Sequence, residues 1–314
     1  MSTNVIDSLL QQKTPSEIPT IAATPTYLMM ARDRGVDVLN MSLKTNINSN
    51  SPLGSWSPVI TAGNQLADNI SVSGLLVNSL PFYAILGKAD LAGGNYVVNS
   101  RRDISNMTLT EGVKPTYALN EVIGTVQHTV YGAMFDTLSL NYDGGFLKAA
   151  LSGQGRSQTI GDTPSGSTYP SAVQSKFNLQ THYKWNAAAI ENILSVECTM
   201  KQGSNLSIGK EGFIEDISDN NPIFTNFTIS FIGEQLAIFT DDFNKTKRDI
   251  LWRMDKSQDP THFFEISAPD SLCNEIRYVK EKGKIIGGAA TFTSAAVSVD
   301  ILDGLNDSFL TIPV

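Results

Sequence analysis

The three histidines, His128, His182 and His262, have the side chains most readily used as metal ligands or proton carriers. None stands at a helical or strand-turn spacing from a second His or from Cys198 or Cys273, as a tetrahedral zinc site requires. Exposed or hydrogen-bonded histidines account for them, and no zinc site is expected. The acidic pairs Glu215-Asp216 and Asp241-Asp242 have the charge to hold Ca2+ or to act as acid and base, but such pairs are ordinarily solvated loop or helix residues. Gly153-Gln-Gly155-Arg-Ser-Gln158 begins like a dinucleotide-binding loop, yet it lacks the third glycine and leads into no helix. Gly87-Lys88 is followed by Ala89, and Gly209-Lys210 by Glu211, where a phosphate-binding loop places Ser or Thr. No catalytic residue, metal or cofactor is expected, and the chain reads as a non-enzyme.

Two further candidates have simpler explanations. Cys198 lies on the core-facing phase of a strand and acts there as a small buried hydrophobe rather than a nucleophile. The stretch Phe243–Trp252, with Lys245, Lys247, Arg248 and Arg253 close by, mixes aromatic and basic residues as a nucleic-acid platform does. A helix with one buried and one charged face explains the same residues.

The composition excludes several classes. At 314 residues, 41% hydrophobic and 17% charged, the chain is globular and long enough for two ordinary cores. The N-terminus MSTNVIDSLLQQKTPSEIP lacks the basic and apolar regions of a signal peptide, and no apolar run approaches the roughly 18 residues of a membrane span. Two cysteines do not make a disulfide framework, so free thiols in a reducing compartment are expected. The net charge of −8, concentrated in the second half, argues against a protein that grips nucleic acid through phosphate neutralisation.

The elements that hold these residues come in two copies. NISVSGLLVNSLPF (Asn69–Phe82) returns as NFTISFIGEQLAIF (Asn226–Phe239), 157 positions on (226 − 69), which is half the chain. Upstream at the same offset, GVDVLNMSLK (Gly35–Lys44) faces NILSVECTMK (Asn192–Lys201). Leu39, Met41 and Leu43 alternate with Asn40, Ser42 and Lys44; Val196, Cys198 and Met200 alternate with Glu197, Thr199 and Lys201. Period 2 predicts strands with one face buried. In the downstream pair Ile70 and Val72, like Phe227 and Ile229, point inward; Ser71 and Thr228 point outward. A short helix follows each. Ser79 and Pro81 open the first, Phe82 and Leu86 lie four apart, and Leu236, Phe239 and Phe243 keep helical spacing in the second.

Long loops, Thr45–Gly63 and Gln202–Pro222, separate the paired strands, and further strands close each unit without holding the offset. The closing segments are GTVQHTVYGAMFDTLSLNY and FLKAALSGQG in the first copy, and THFFEIS, EIRYVKEKGK and GGAATFTSAAVSVDIL in the second. The chain therefore divides into an N-terminal arm (1–20) with a helical turn or two around Val5–Leu10, a first β domain (21–152), a Gly/Ser/Thr/Pro-rich linker (153–175) and a second β domain (176–314). The expected fold class is mainly β: two tandem antiparallel sandwich or barrel domains, each with a short flanking helix.

The segment MFDTLSLNYDGGFLKAALSGQG (Met134–Gly155), preceded by Tyr131-Gly-Ala133, resembles the tail tube proteins of long-tailed bacteriophages. The likeness continues through NILSVECTMKQGSNL, FTNFTISFIGEQLAIFTDDF and AATFTSAAVSVDI, as a pattern of strands and turns over most of residues 25–302. It implies rings that stack into a hollow tube. Two tube domains in one chain imply three copies per ring, a homotrimer with pseudo-hexameric symmetry, and a non-contractile tail, since contractile tubes usually carry one domain per chain. Under this resemblance Asn40, Ser42, Ser71, Glu197, Thr199 and Thr228 become lumen candidates, and Asn50, Leu53, Trp56, Lys210, Phe213 and Asp216 candidates for contact with the neighbouring ring. The implied partners are further copies of the chain, the initiator, terminator and tape-measure proteins of the tail, and DNA passing a weakly polar or acidic wall without specific binding; no membrane is involved. Assembly would take place in the host cytoplasm and the product would reside in the virion tail. The alternative is a carbohydrate-binding or adhesin-like double sandwich, against which the scattered Trp56, Trp185 and Trp252 count.

Overall fold

The structure, a computed structural model, describes residues 12–13, 39–50, 59–76, 80–86, 89–92, 95–99, 116–123, 126–155, 157–162, 177–201, 205–208, 214–218, 224–256 and 259–302. It is mainly β, with every strand pairing antiparallel and two short helices, α1 (Leu80–Leu86) and α2 (Leu236–Asn244).

Period-2 alternation becomes strand where it was expected. Val196, Cys198, Met200, Phe227 and Ile229 are fully buried, while Glu197 and Lys201 face solvent. Ile70 and Val72 are buried and Ser71 between them is half-buried. The duplication is equally plain in the order of pairing. In the first half Leu39–Asn50 pairs with Val59–Leu75, that with Leu147–Gly155, and that with the C-terminal part of Val126–Tyr142. In the second half Ile193–Lys201, Phe224–Ile232, Lys284–Ser294 and the C-terminal part of Asp259–Glu281 follow in the same order.

Each half also contributes to a second layer through its longest strand. The first part of Val126–Tyr142 pairs with Thr116–Ile123 and Ser157–Asp162; the first part of Asp259–Glu281 pairs with Arg248–Lys256 and Ser298–Leu302. Register shifts between Phe135 and Thr137 and between Cys273 and Glu275 add the extra residue that lets each long strand bend from one layer into the other. In the second half Asp270, at φ 51°, assists the bend, and its N–H donates to Asp249 Oδ1 at 3.1 Å. Between the layers lies an aromatic core. Phe227 on one sheet meets Tyr183 at 6.2 Å and Trp252 at 6.5 Å on the other, and Trp252 meets Phe264 at 5.9 Å.

Several expectations are corrected. The long loops are partly hairpin: Leu39–Asn50 and Val59–Leu75 stay paired out to Asn50 opposite Val59, and Asn205–Ile208 pairs with Ile214–Ser218. Pairing satisfies backbone N–H and C=O groups even where the side chains alternate poorly. The stretch 153–175, expected as a linker, opens as strand: Leu147–Gly155 runs to its end and Ser157–Asp162 pairs with the start of Val126–Tyr142. THFFEIS and the EIRYVKE part of EIRYVKEKGK belong to one strand, its Lys282-Gly283 is the turn that follows, and GGAATFTSAAVSVDIL holds parts of two. The helix foreseen over Phe243–Trp252 ends at Asn244, where Lys245 turns left-handed at φ 52°, and Arg248–Lys256 is a strand that buries Ile250, Trp252 and Met254. Its period was 2, not 3.6. The helical turn around Val5–Leu10 lies outside the described residues; Gln12 and Lys13 pair with Tyr117 and Thr116.

The shifted offset of the closing strands has a structural source. After α1 come the hairpin strands Ala89–Ala92 and Asn95–Asn99, while after α2 the chain enters Arg248–Lys256 almost directly. The extra hairpin joins the other half, with Asn99 to Tyr96 opposite Ser298 to Ile301.

Candidate functional site

The two four-stranded sets are one sheet. Tyr142 to Thr137 runs opposite Val196 to Lys201 in six consecutive pairs with no register shift. The last strand of the first unit thus pairs with the first strand of the second, giving a continuous antiparallel sheet of eight strands. Its terminal strands are Leu39–Asn50 and the C-terminal part of Asp259–Glu281, and among the described residues each pairs in this sheet on one side only. These two edges are further copies of the two strands that meet at the internal seam.

One face of this sheet packs on the core and the other is covered with small polar groups. Thr199 lies opposite Ser139 on one side and Asn226 on the other, and Asn226 opposite Thr293. Glu197 lies opposite Asn141 and Thr228, and Thr228 opposite Thr291. The rows are linked by side-chain hydrogen bonds: Ser139 Oγ and Thr199 Oγ1 are 3.5 Å apart, Asn141 Nδ2 donates to Glu197 Oε1 at 3.4 Å, and Thr293 Oγ1 donates to Asn226 Oδ1 at 2.7 Å. Charges on the described part of this face, Lys148, Glu197, Lys201, Glu275 and Arg277, nearly balance, and Arg277 Nε donates to Glu275 Oε1 at 2.6 Å. The face is mainly polar and close to neutral, with Phe224, Ile232 and Val279 exposed toward its margins. The acidic excess of the second half is not concentrated on it among the described residues.

Of the lumen candidates, Ser71, Glu197, Thr199 and Thr228 share this face. Asn40 and Ser42 occupy strand positions opposite Ser71 and Asp68. Ser139, Asn141, Asn226, Thr291 and Thr293 also belong to the face and were not on the candidate list, although the same alternation in their strands carries the signal. Among the inter-ring candidates, Asn50 closes the first hairpin opposite Val59, and Asp216 pairs with Ser207 in the second. Leu53, Trp56, Lys210 and Phe213 lie outside the described residues.

The chemical candidates prove structural. Asp241 accepts from Trp185 Nε1 at 2.7 Å and from Arg248 Nε and Nη2, both at 3.1 Å. Burial opposes its charge, but the Arg248 and Trp185 hydrogen bonds and the Arg248 charge outweigh this and hold the carboxyl below its ordinary range. Asp242 accepts from Lys245 at 3.0 Å. Burial raises the Cys198 thiol well above its usual value and, aided by the nearby Asp242 charge, pushes Cys273 up to about 12, so neither is a thiolate at neutral pH. No group of three or more His, Cys, Asp or Glu among the described residues is gathered to hold a metal. No helix among them is long and apolar enough to cross a membrane.

The sequence matches no family model and no curated protein.

Beyond the continuous sheet, the two halves meet through the hairpin described above and through α1. The Phe82 ring lies 4.9 Å from Phe264, and Phe177 N–H donates to Leu76 O at 3.3 Å. The internal seam is thus a complete interface between one β unit and the next. It combines strand pairing, a packed helix and a polar face that continues across it unbroken.

Proposed function

We propose that the chain is a structural tail tube protein of a non-contractile bacteriophage tail, whose copies join head to tail into a three-chain ring and whose rings stack around a channel that conducts DNA. The observation that carries this reading is the seam at Thr137–Tyr142 and Val196–Lys201. It is a heterologous contact between two copies of one unit, and its two component strands recur as the open edges of the chain. Heterologous contacts form closed rings when their rotation closes. Repeating the seam between three chains would close a barrel of 24 strands (three times eight), beyond the 16 to 18 at which barrels already hold an aqueous channel. Closure also removes the two exposed edges, which otherwise invite aggregation.

The polar face then lines the channel. Hydroxyl and amide groups with few, balanced charges offer DNA phosphates little to condense on, since counterion release needs clustered cations. Passage without specific binding follows from that chemistry. In this role the chain works in the virion tail, with tail initiator, terminator and tape-measure proteins as partners, and has no catalytic activity.

Electron microscopy of the purified chain at rising concentration, with native mass measured in parallel, tests the reading. Rings or tubes with a central channel and a three-chain mass are expected. A chain that stays monomeric at every concentration, and also when added to tail initiator complexes, overturns it.

A further inference from the structure

The helices α1 and α2 are equivalent by sequence, with Phe82 and Phe239, and Leu86 and Phe243, separated by the repeat offset. Their surroundings are opposite. Phe82 is fully buried and Leu86 is 2% exposed, whereas Phe239 is 47%, Leu236 72% and Phe243 81% exposed. The difference lies in what covers each helix. α1 packs on Val126–Tyr142 and Asn95–Asn99 of its own half and also meets the other half through the Phe82 contact to Phe264, itself 5.1 Å from Phe177. α2 rests on its own half alone: Ile238 is buried, Phe239 meets Tyr278 edge-on at 5.7 Å, and Asp241 is held by Trp185 and Arg248. Phe82, which α1 turns to the other half, has its counterpart Phe239 half exposed on α2. Three large exposed hydrophobic side chains within one nine-residue helix are the mark of an interaction surface.

We propose that this face of α2 is an assembly contact, covered in the ring by the first half of the next copy of the chain, as Phe82 of α1 is met by the second half of its own. The inference rests on the ring reading above and deepens it, because it names the partner surface of a helix that strand pairing leaves untouched. The internal repeat identifies the occupant. Phe264, which meets Phe82, pairs with Ile301, the fourth residue of Ser298–Leu302. The matching register shifts at Phe135 and Cys273 set the two long strands 138 positions apart (273 − 135), so in the first half the same place is held by Val126, which pairs with Asp162. Phe239 therefore lands beside Val126 of the next copy, a side chain exposed in the single chain.

Two variants of the full chain test this. Phe243→Lys changes a side chain that is 81% exposed, so its circular dichroism and melting temperature should match the parent's, while the concentration needed for rings rises by about tenfold or more. The double variant Phe239→Cys with Val126→Cys, oxidised mildly at ring-forming concentration, should give a ladder of covalent dimers and trimers that ends at the trimer. The parent, whose Cys198 and Cys273 are buried, should give no ladder. If the parent forms rings, the lysine variant forms them at the same concentration and no ladder appears, the α2 contact is overturned and the tube reading stands. If the parent forms no ring under any condition and the cysteines link only within one chain, both are overturned.

Discussion

Asp241 shows how a single residue separates two otherwise equivalent helices. Its counterpart at the repeat offset is Ala84, fully buried in α1, whereas Asp241 ties α2 to Trp185 and Arg248. Replacing Asp241 with Ala leaves the buried Trp185 N–H without an acceptor and costs about 1–3 kcal/mol. The pH dependence follows from the lowered carboxyl pKa. The unfolded chain binds this proton more readily than the folded one, so the stabilisation is complete above the ordinary aspartate range and is lost as pH falls through the folded value. Denaturant midpoints of parent and Asp241→Ala should differ most at neutral pH and converge in acid. Gly288 is fixed for a steric reason. A Cβ there would collide with the Arg277 carbonyl and come within 3.1 Å of the Phe231 ring, so Gly288→Ala should lower the unfolding free energy by about 1–3 kcal/mol, read as a lower midpoint with an unchanged denaturant slope. Neither role is legible locally. Asp241-Asp242 looks like any solvated pair until Trp185, remote in sequence, is brought beside it, and Gly288 stands out only when three strands are seen side by side.

At the scale of elements, legibility followed burial. The strands around Val72, Cys198 and Ile229 were readable because one face packs on the core and the other meets solvent, which forces period 2. The helices are readable from spacing, but which of their residues are covered is not, because Phe82 of α1 meets Phe264, remote in sequence. The hairpin extensions to Asn50 and Val59 were missed because pairing, not side-chain pattern, builds them. Asp259–Glu281 was split in the reading because its Pro269-Asp270 bend interrupts the alternation. Equivalence of elements also makes the open edges testable. Asn40 holds the place of Glu197, and Val279 that of Asn141, the two residues that face each other across the internal seam. Asn40→Cys combined with Val279→Cys should therefore form disulfides between copies, in non-reducing gels of assembled protein. A ladder that appears for Asn40→Cys alone would contradict this pairing.

For the whole molecule, the two halves present similar inner faces but different outer ones. The inner sheet repeats the same strand order twice, so a three-chain ring would show nearly sixfold symmetry along its channel. The hairpin of Ala89–Ala92 and Asn95–Asn99 breaks that symmetry, since it extends the layer of Ser298–Leu302 and has no counterpart between α2 and Arg248–Lys256. It sits in the second layer, away from the polar face. Class averages of rings viewed down the axis should therefore show three outer lobes around a channel that is close to sixfold. Shortening the hairpin to a tight turn should reduce the lobes without narrowing the channel. It should also weaken the union of the halves, because the four pairs from Tyr96 to Asn99 with Ser298 to Ile301 are lost, leaving the seam at Thr137–Tyr142 and the Phe82–Phe264 contact to hold them together. Six equal outer lobes in the parent ring would mean that the hairpin leaves its own chain on assembly and that the arrangement of the single chain does not carry into the ring.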